Sequence, residues 1–241
     1  MKIHRFFLNT GFLEGEMSIT DNELIHQMRD VLKLHDGEKC VLFNAAEQEA
    51  HAHILQCDIN GVTLSVEKII QKSEQKTKIT LYCAILKREN FELVVQKATE
   101  LGVHEIVPII TQRTVKTGLK HERLEKIATE ATEQSGHTYI PVIQKPILFS
   151  DALHKAQDHT RVVVLHTEIS QGDNSFSNTE SIASIGVFVG PEGGFTQEEI
   201  QQAKEYRYSI HTFPHMVLRA ETAAIIGVFW AHNLFMTNNM D

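Results

Sequence analysis

The segment Phe213-Pro214-His215-Met216-Val217-Leu218-Arg219-Ala220-Glu221-Thr222-Ala223-Ala224 sets a guanidinium and a carboxylate just before a run of apolar residues that continues to about Phe235. Charged groups at the mouth of a buried helix are costly unless they are paired or used. An arginine there can bind a phosphate or steady an anion forming on a substrate. A glutamate can orient it or accept a hydrogen bond from a ligand. The two can equally pair with each other, as a salt bridge that only shapes the loop. Upstream, Val187-Phe188-Val189 reads as a buried strand, broken at once by Gly190-Pro191-Glu192-Gly193-Gly194. Thr196 with Glu199 then forms a capping box that opens a helix. A strand, a glycine loop and a helix start bring bare backbone N–H groups close to a small ligand. The spacing is neither G-x-G-x-x-G nor a phosphate loop ending in Lys-Ser/Thr. On loop chemistry alone a plain tight turn explains it as well as a ligand loop does. The Arg219/Glu221 segment tips the reading toward a ligand.

The elements that must position these groups alternate. After the polar stretch 71–78, Ile79–Leu86 reads as a strand. A helix follows with Phe91, Val94, Val95, Ala98 and Leu101 on one face, closed by Gly102. Ile106–Ile110 is a strand, Leu124, Ile127, Ala128 and Ala131 mark a helix ending near Gly136, and Arg161–His166 and Ile185–Val189 are strands. This order predicts an α/β fold with a parallel sheet over 73–241, with ligands beyond the carboxyl ends of its strands. Residues 1–72 read differently. Strand-like runs at Cys40–Phe43, Ala50–Leu55 and Val62–Val66, turn signals at Asp36-Gly37 and Asn60-Gly61, and one short helix over Asp21–Leu32 predict a small β-barrel. The C-terminal helix, apolar nearly all round, should be buried either in the monomer core or in a dimer interface.

The chain has 241 residues and a formal net charge of −8, which is awkward for a nucleic-acid enzyme. The charge is unevenly spread. Residues 1–71 hold 6 Lys/Arg against 11 Asp/Glu, residues 72–126 hold 11 against 7, and residues 127–241 hold 6 against 13. Any polyanion should therefore bind mainly at the middle segment. There is no apolar run long enough for a membrane span and no apolar signal core at the N-terminus. Cys40, Cys57 and Cys83 form no C-x-x-C and suit free thiols in a reducing cytoplasm. His51 and His53 share one strand face without a third ligand at zinc spacing, so no metal site is expected.

Four segments taken together carry a resemblance. Gln96–Val103 (QKATELGV), Glu133–Gly136 (EQSG), Gly190–Ile200 (GPEGGFTQEEI) and Leu218–Ala223 (LRAETA), with His4–Phe7 (HRFF) at the start, resemble the ribosomal RNA small subunit methyltransferase E family. That family belongs to the SPOUT class of knotted methyltransferases, and the likeness runs over essentially the whole chain. It implies a trefoil knot in the C-terminal domain, a PUA-like RNA-binding barrel over 1–72, a homodimer in the cytoplasm, and S-adenosylmethionine as cofactor. It also implies methylation of N3 of one uridine of 16S rRNA near the decoding site. Another RNA target within the class, or a non-catalytic assembly factor, stand as alternatives.

The resemblance implies an adenosyl pocket of Leu165, His166, Gly190, Pro191, Glu192, Gly193, Leu218, Ala220 and Ala223, with Arg219 and Glu221 as the catalytic pair. Uridine N3 carries a proton and lies on the pairing edge. The base must be turned out, and its proton must be lost before or during attack. His166 and His215 are the candidates for the base by their ordinary titration range, and neither is singled out. Arg5, Arg113, Lys116, Lys120, Arg123 and Lys126 are the candidates for RNA contact. The chain departs from the family in having His137 where an arginine is usual, and Phe213 before Pro214 where Leu-Gly is usual.

Overall fold

In the computed structural model, residues 3–59, 61–72, 78–115, 118–167, 182–213 and 215–238 are described. They form two compact units, one of residues 1–74 with 132–140, the other of 75–131 with 141–241. Residues 73–77 of the expected linker, Asn60 of one expected turn, and Lys116 lie outside the described residues.

The first unit is a five-stranded sheet in the order β1-β3-β4-β5-β2. Its strands are β1 (His4–Phe7), β2 (Gly15–Ile19), β3 (Lys39–Phe43), β4 (Gln48–Asp58) and β5 (Gly61–Gln71). β1 runs parallel to β3, and the other pairs are antiparallel. Alternation does the sorting. Ala50, Ala52 and Ile54 of β4 and Val62, Leu64 and Val66 of β5 are buried around Phe6, Met28 and Leu42. His53 lies on the other face of β4 and takes Glu67 as partner at 3.0 Å. Helix α1 (Asn22–His26) starts where Asp21 accepts the N–H groups of Glu23 and Leu24, and it passes into a wide turn over Gln27–Val31.

Two buried carboxylates brace this unit. Glu133 accepts the Phe7 N–H and the Gln27 amide, each at 3.1 Å. Glu49 takes Arg5 at 2.6 Å and Lys72 at 3.2 Å. Burial works to raise the Glu49 carboxyl, and these two cations outweigh it, so it titrates below its ordinary range. Arg5 also donates to the His137 carbonyl at 3.3 Å and leaves only 17% of its side chain exposed. Arg5, expected as an RNA contact, is thus already engaged within this unit. Its nearest charge is an inward carboxylate, and little of it faces solvent.

The second unit is built on an all-parallel sheet in the order β12-β10-β11-β6-β7-β8, with β9 paired to β7. Its strands are β6 (Lys78–Ala84), β7 (Glu105–Ile110), β8 (Val142–Ile143), β9 (Ile147–Leu148), β10 (Arg161–Leu165), β11 (Ser184–Val189) and β12 (Ser209–His211). The helices are α2 (Arg88–Glu100), α3 (His121–Ser135, whose last four residues belong to the first unit), α4 (Phe149–Lys155), α5 (Gln197–Glu205) and α6 (Ala220–Asn238). The central strands are apolar runs buried along their length, as a sheet covered on both faces requires. Phe188 stacks on Tyr82 at 4.3 Å in the middle of this core.

Helix α6 packs on α2, β6 and β11. Ala220, Ala224, Val228 and Ala231 form its buried stripe. A Cβ at Gly227 would stand 2.8 Å from Leu165 Cδ1 and 3.1 Å from Val187 Cγ1, so a glycine is what lets helix and sheet approach here. Burial within the chain covers only part of this helix. Phe229, on another face of α6, is 54% exposed within this chain. None of the described helices is long and apolar enough to cross a membrane.

Candidate active site

The site lies where parallel strands end. Leu165 closes β10 and Val189 closes β11, and these two residues are register partners. Gly190–Phe195 leaves β11 as a tight loop in which the Gly194 N–H donates to the Pro191 carbonyl at 2.8 Å. Gly194 has φ +68°, a conformation that a side chain disfavours. A Cβ on Gly190 would lie 3.1 Å from Phe195 N and 3.2 Å from Gly194 C. The turn itself thus favours glycine at both positions, before any ligand is considered. The expected capping box then starts α5. Thr196 N–H donates to Glu199 Oε2 at 2.8 Å, and Glu199 N–H donates to Thr196 Oγ1 at 3.2 Å.

The second wall is the approach to α6. Met216–Arg219 lies outside any helix or strand, and the Arg219 carbonyl accepts the Ala223 N–H at 2.8 Å as the helix begins. Between the walls is a cleft of about 660 Å³, within the range of small-ligand sites. Leu165, His166, Gly190, Pro191, Glu192, Gly193, Leu218, Arg219, Ala220, Glu221 and Ala223 all line it. The structure thus gathers the whole expected pocket and the expected pair at one place. His215, one of the two candidate bases, is exposed and does not line the cleft, whereas His166 does.

Arg219 and Glu221 do not form the salt bridge that their spacing allows. Glu221, 8% exposed, accepts instead from Asn90 Nδ2 at 3.4 Å. Arg219 is exposed at the cleft and has no ion-pair partner among the described residues. Glu221 stands in the first turn of α6, where the helix dipole favours a negative charge. Glu192 accepts the Lys87 N–H at 3.3 Å, at the start of α2, where no side chain caps the helix. This ties the glycine loop to α2. Lys87, Asn90, Phe213, Met216 and Val217 also line the cleft and were not expected there, and Thr167, just past the end of β10, joins them. The polar opening to α2, -Lys87-Arg88-Glu89-Asn90-, reads as an ordinary solvated first turn and gave no signal for the first two.

The other basic candidates sort by their partners. Arg113 Nη1 donates to the Gly193 carbonyl at 2.6 Å, which turns it toward the glycine loop. Arg123 pairs with Glu92 at 2.8 Å, and Arg88 joins the same carboxylate at 2.9 Å. Arg123 first and Arg88 second pull the Glu92 carboxyl down to about 2. Lys120 and Lys126 are exposed.

A parallel sheet with its cleft at the strand ends, walled by a glycine loop and a helix mouth, defines the α/β class whose ligands bind beyond the carboxyl ends of strands. The chain matches the family model of the RNA methyltransferase domain over residues 73–231. It is 31% identical over 233 residues to the ribosomal RNA small subunit methyltransferase E of Rickettsia conorii, covering 95% of this chain and 94% of that one. A solved structure of the same enzyme from Neisseria gonorrhoeae, bound to S-adenosyl methionine, superposes with a TM-score of 0.84 at 26% identity, covering 97% and 98% of the two chains. A Legionella pneumophila structure with bound SAM gives 0.85 at 26% identity, covering 98% of each. The chain belongs to the ribosomal RNA small subunit methyltransferase E family.

Proposed function

We propose that this chain transfers a methyl group from S-adenosylmethionine to N3 of a uridine in the 16S rRNA of the small ribosomal subunit, near the decoding site, in the cytoplasm. The observation that carries the reading is the single cleft that joins the Gly190–Phe195 loop to Leu218–Ala223 in a chain of this family. The lining suits the cofactor. Exposed backbone of the loop can receive the polar edge of an adenosyl group, and Leu165, Phe213 and Leu218 offer apolar surface to its faces.

When bound, S-adenosylmethionine supplies a methyl group on a sulfonium, which leaves as a neutral thioether. The protein's residues meet the uracil edge. That edge presents an N–H donor between two carbonyl acceptors, and Glu221 with Asn90 offers a carboxylate acceptor beside an amide donor. Glu221 takes the N3 proton, so the N3 electron pair is free to form the new N–C bond. Asn90 donates to a flanking carbonyl, and Arg219 stabilises the negative charge that develops over the ring. The partly enclosed cleft strengthens both interactions by excluding water.

The rest of the proposal concerns the frame. Residues 1–72 form a PUA-like RNA-binding barrel, and 73–241 a methyltransferase domain that carries the trefoil knot of its class. Two copies associate through the exposed apolar face of α6. Phe229→Asp then shifts the protein to monomers in light scattering, and an unchanged mass would place the interface elsewhere. Lys120 and Lys126 contact RNA phosphates. Neutralising both lowers the slope of log affinity against log salt by about 1.5, and an unaltered slope would move the RNA surface away from α3.

The function is tested by incubating purified protein, labelled cofactor and small ribosomal subunits, alongside naked RNA, and then mapping the modified nucleoside. The expected product is 3-methyluridine. Label on a ribose hydroxyl or another base would replace the proposed chemistry, and absence of cofactor binding in calorimetry would remove enzyme activity altogether.

A further inference from the structure

The segment after β7 is fastened to the glycine loop at several points. Arg113 Nη1 donates to the Gly193 carbonyl at 2.6 Å and stands 3.5 Å from the Phe195 carbonyl. Its aliphatic stem lies under the loop, since a Cβ on Gly193 would meet Arg113 Cδ at 3.3 Å. Next to it, Glu199 divides its carboxylate. Oε1 accepts the Gln112 N–H at 2.8 Å, and Oε2 accepts the Thr196 N–H at 2.8 Å. The turn that presents Arg113 is itself closed, with the Thr111 N–H donating to Thr114 Oγ1 at 3.0 Å and the Thr114 N–H returning to the Thr111 carbonyl at 3.1 Å. A buried glutamate doing more than capping its own helix calls for a reason.

The geometry points to Arg113 and Glu199 as positioning residues that hold the Gly190–Phe195 wall in its ligand-ready shape; this rests on the cofactor reading of the cleft proposed above. Arg113 touches the loop's outer side, and it does not line the cleft. It acts through the loop backbone. The Gly193 carbonyl is drawn outward by a charge-assisted bond, which fixes the peptide plane between Gly193 and Gly194. The same contact turns Arg113 Nη1 toward a loop carbonyl rather than a phosphate, the role its charge and neighbourhood would otherwise suggest. Holding a loop in its bound shape raises affinity by removing the ordering cost of binding.

The test compares wild type, Arg113→Ala and Arg113→Lys by calorimetry with S-adenosylmethionine, by amide exchange at Gly194, and by the salt dependence of RNA binding. Arg113→Ala is expected to weaken the cofactor about tenfold, which is about 1.4 kcal/mol. It should speed exchange at Gly194 by a similar factor and leave the RNA salt slope as in wild type. Arg113→Lys, which keeps one donor for the Gly193 carbonyl, should recover most of both losses. Glu199→Gln replaces one acceptor by a donor facing an N–H, and it should loosen the same loop amides. Unchanged cofactor affinity and exchange in Arg113→Ala, with a salt slope lower by about 0.7 to 0.9, would make Arg113 a phosphate contact and overturn the proposal. Failure of the wild type to bind the cofactor would instead overturn the reading of the cleft on which it rests.

Discussion

Arg219→Ala lowers kcat for methyl transfer by about 10²- to 10³-fold, the effect of removing one preorganised group aimed at charge that develops in a transition state. The physical reason is the site's division of labour. Arg219 is free of any carboxylate among the described residues, so its full charge is available to the cleft it lines. It makes no packing contribution of the kind that Ala220 or Ala224 makes, so the variant should fold and melt within a few degrees of wild type. Cofactor affinity should change little, because the loss falls on a charge that appears only during reaction. Single-turnover kinetics with saturating cofactor and RNA check this. Wild-type turnover in a folded variant would remove Arg219 from the mechanism.

Glu221→Gln loses about 10²- to 10⁴-fold in the same step, the usual span for a general base. The substitution keeps shape, and the glutamine carbonyl can still accept from Asn90, so the helix mouth stays intact. What it removes is the ability to take a proton. The loss should be partly recovered at high pH, where uridine N3 gives up its proton to solvent unaided. A structural role for Glu221 predicts no such recovery, so the pH profile of the variant separates the two. A variant as active as wild type at neutral pH would assign the base elsewhere, with His166 next in line because it lines the same cleft.

Much of this site was legible along the chain because it is built from strand ends and helix starts, which have local signatures. The capping box Thr196/Glu199 is visible as residue types at fixed spacing, and the structure forms it. The expected pocket residues come together because a parallel sheet puts the carboxyl ends of β10 and β11 on one side. Asn90 was not legible. It stands on a helix that begins far earlier in the chain, and nothing in its neighbourhood sets it apart from a solvated first turn. The short elements α4 and β12 were missed because a few residues carry too little periodicity to be told from loop.

Charge by itself left the partner open. Arg5, Arg113 and Arg123 read alike as basic residues that could meet phosphate. The fold gives them a buried carboxylate, a loop carbonyl and a surface carboxylate as partners. Sequence shows that a cation is present; its partner is chosen by which backbone comes within about 3 Å. The same distinction divides the whole protein. Local residue patterns determined the strands, the glycine turn, the helix caps and the family, because each depends on neighbours a few positions apart. Only the tertiary structure decided that Glu221 faces Asn90 rather than Arg219, that Glu192 ties its loop to α2, and that Arg113 clamps the glycine wall. Those pairings join residues far apart in the chain, and hydrogen bonds of that kind are set by packing of the sheet and its helices.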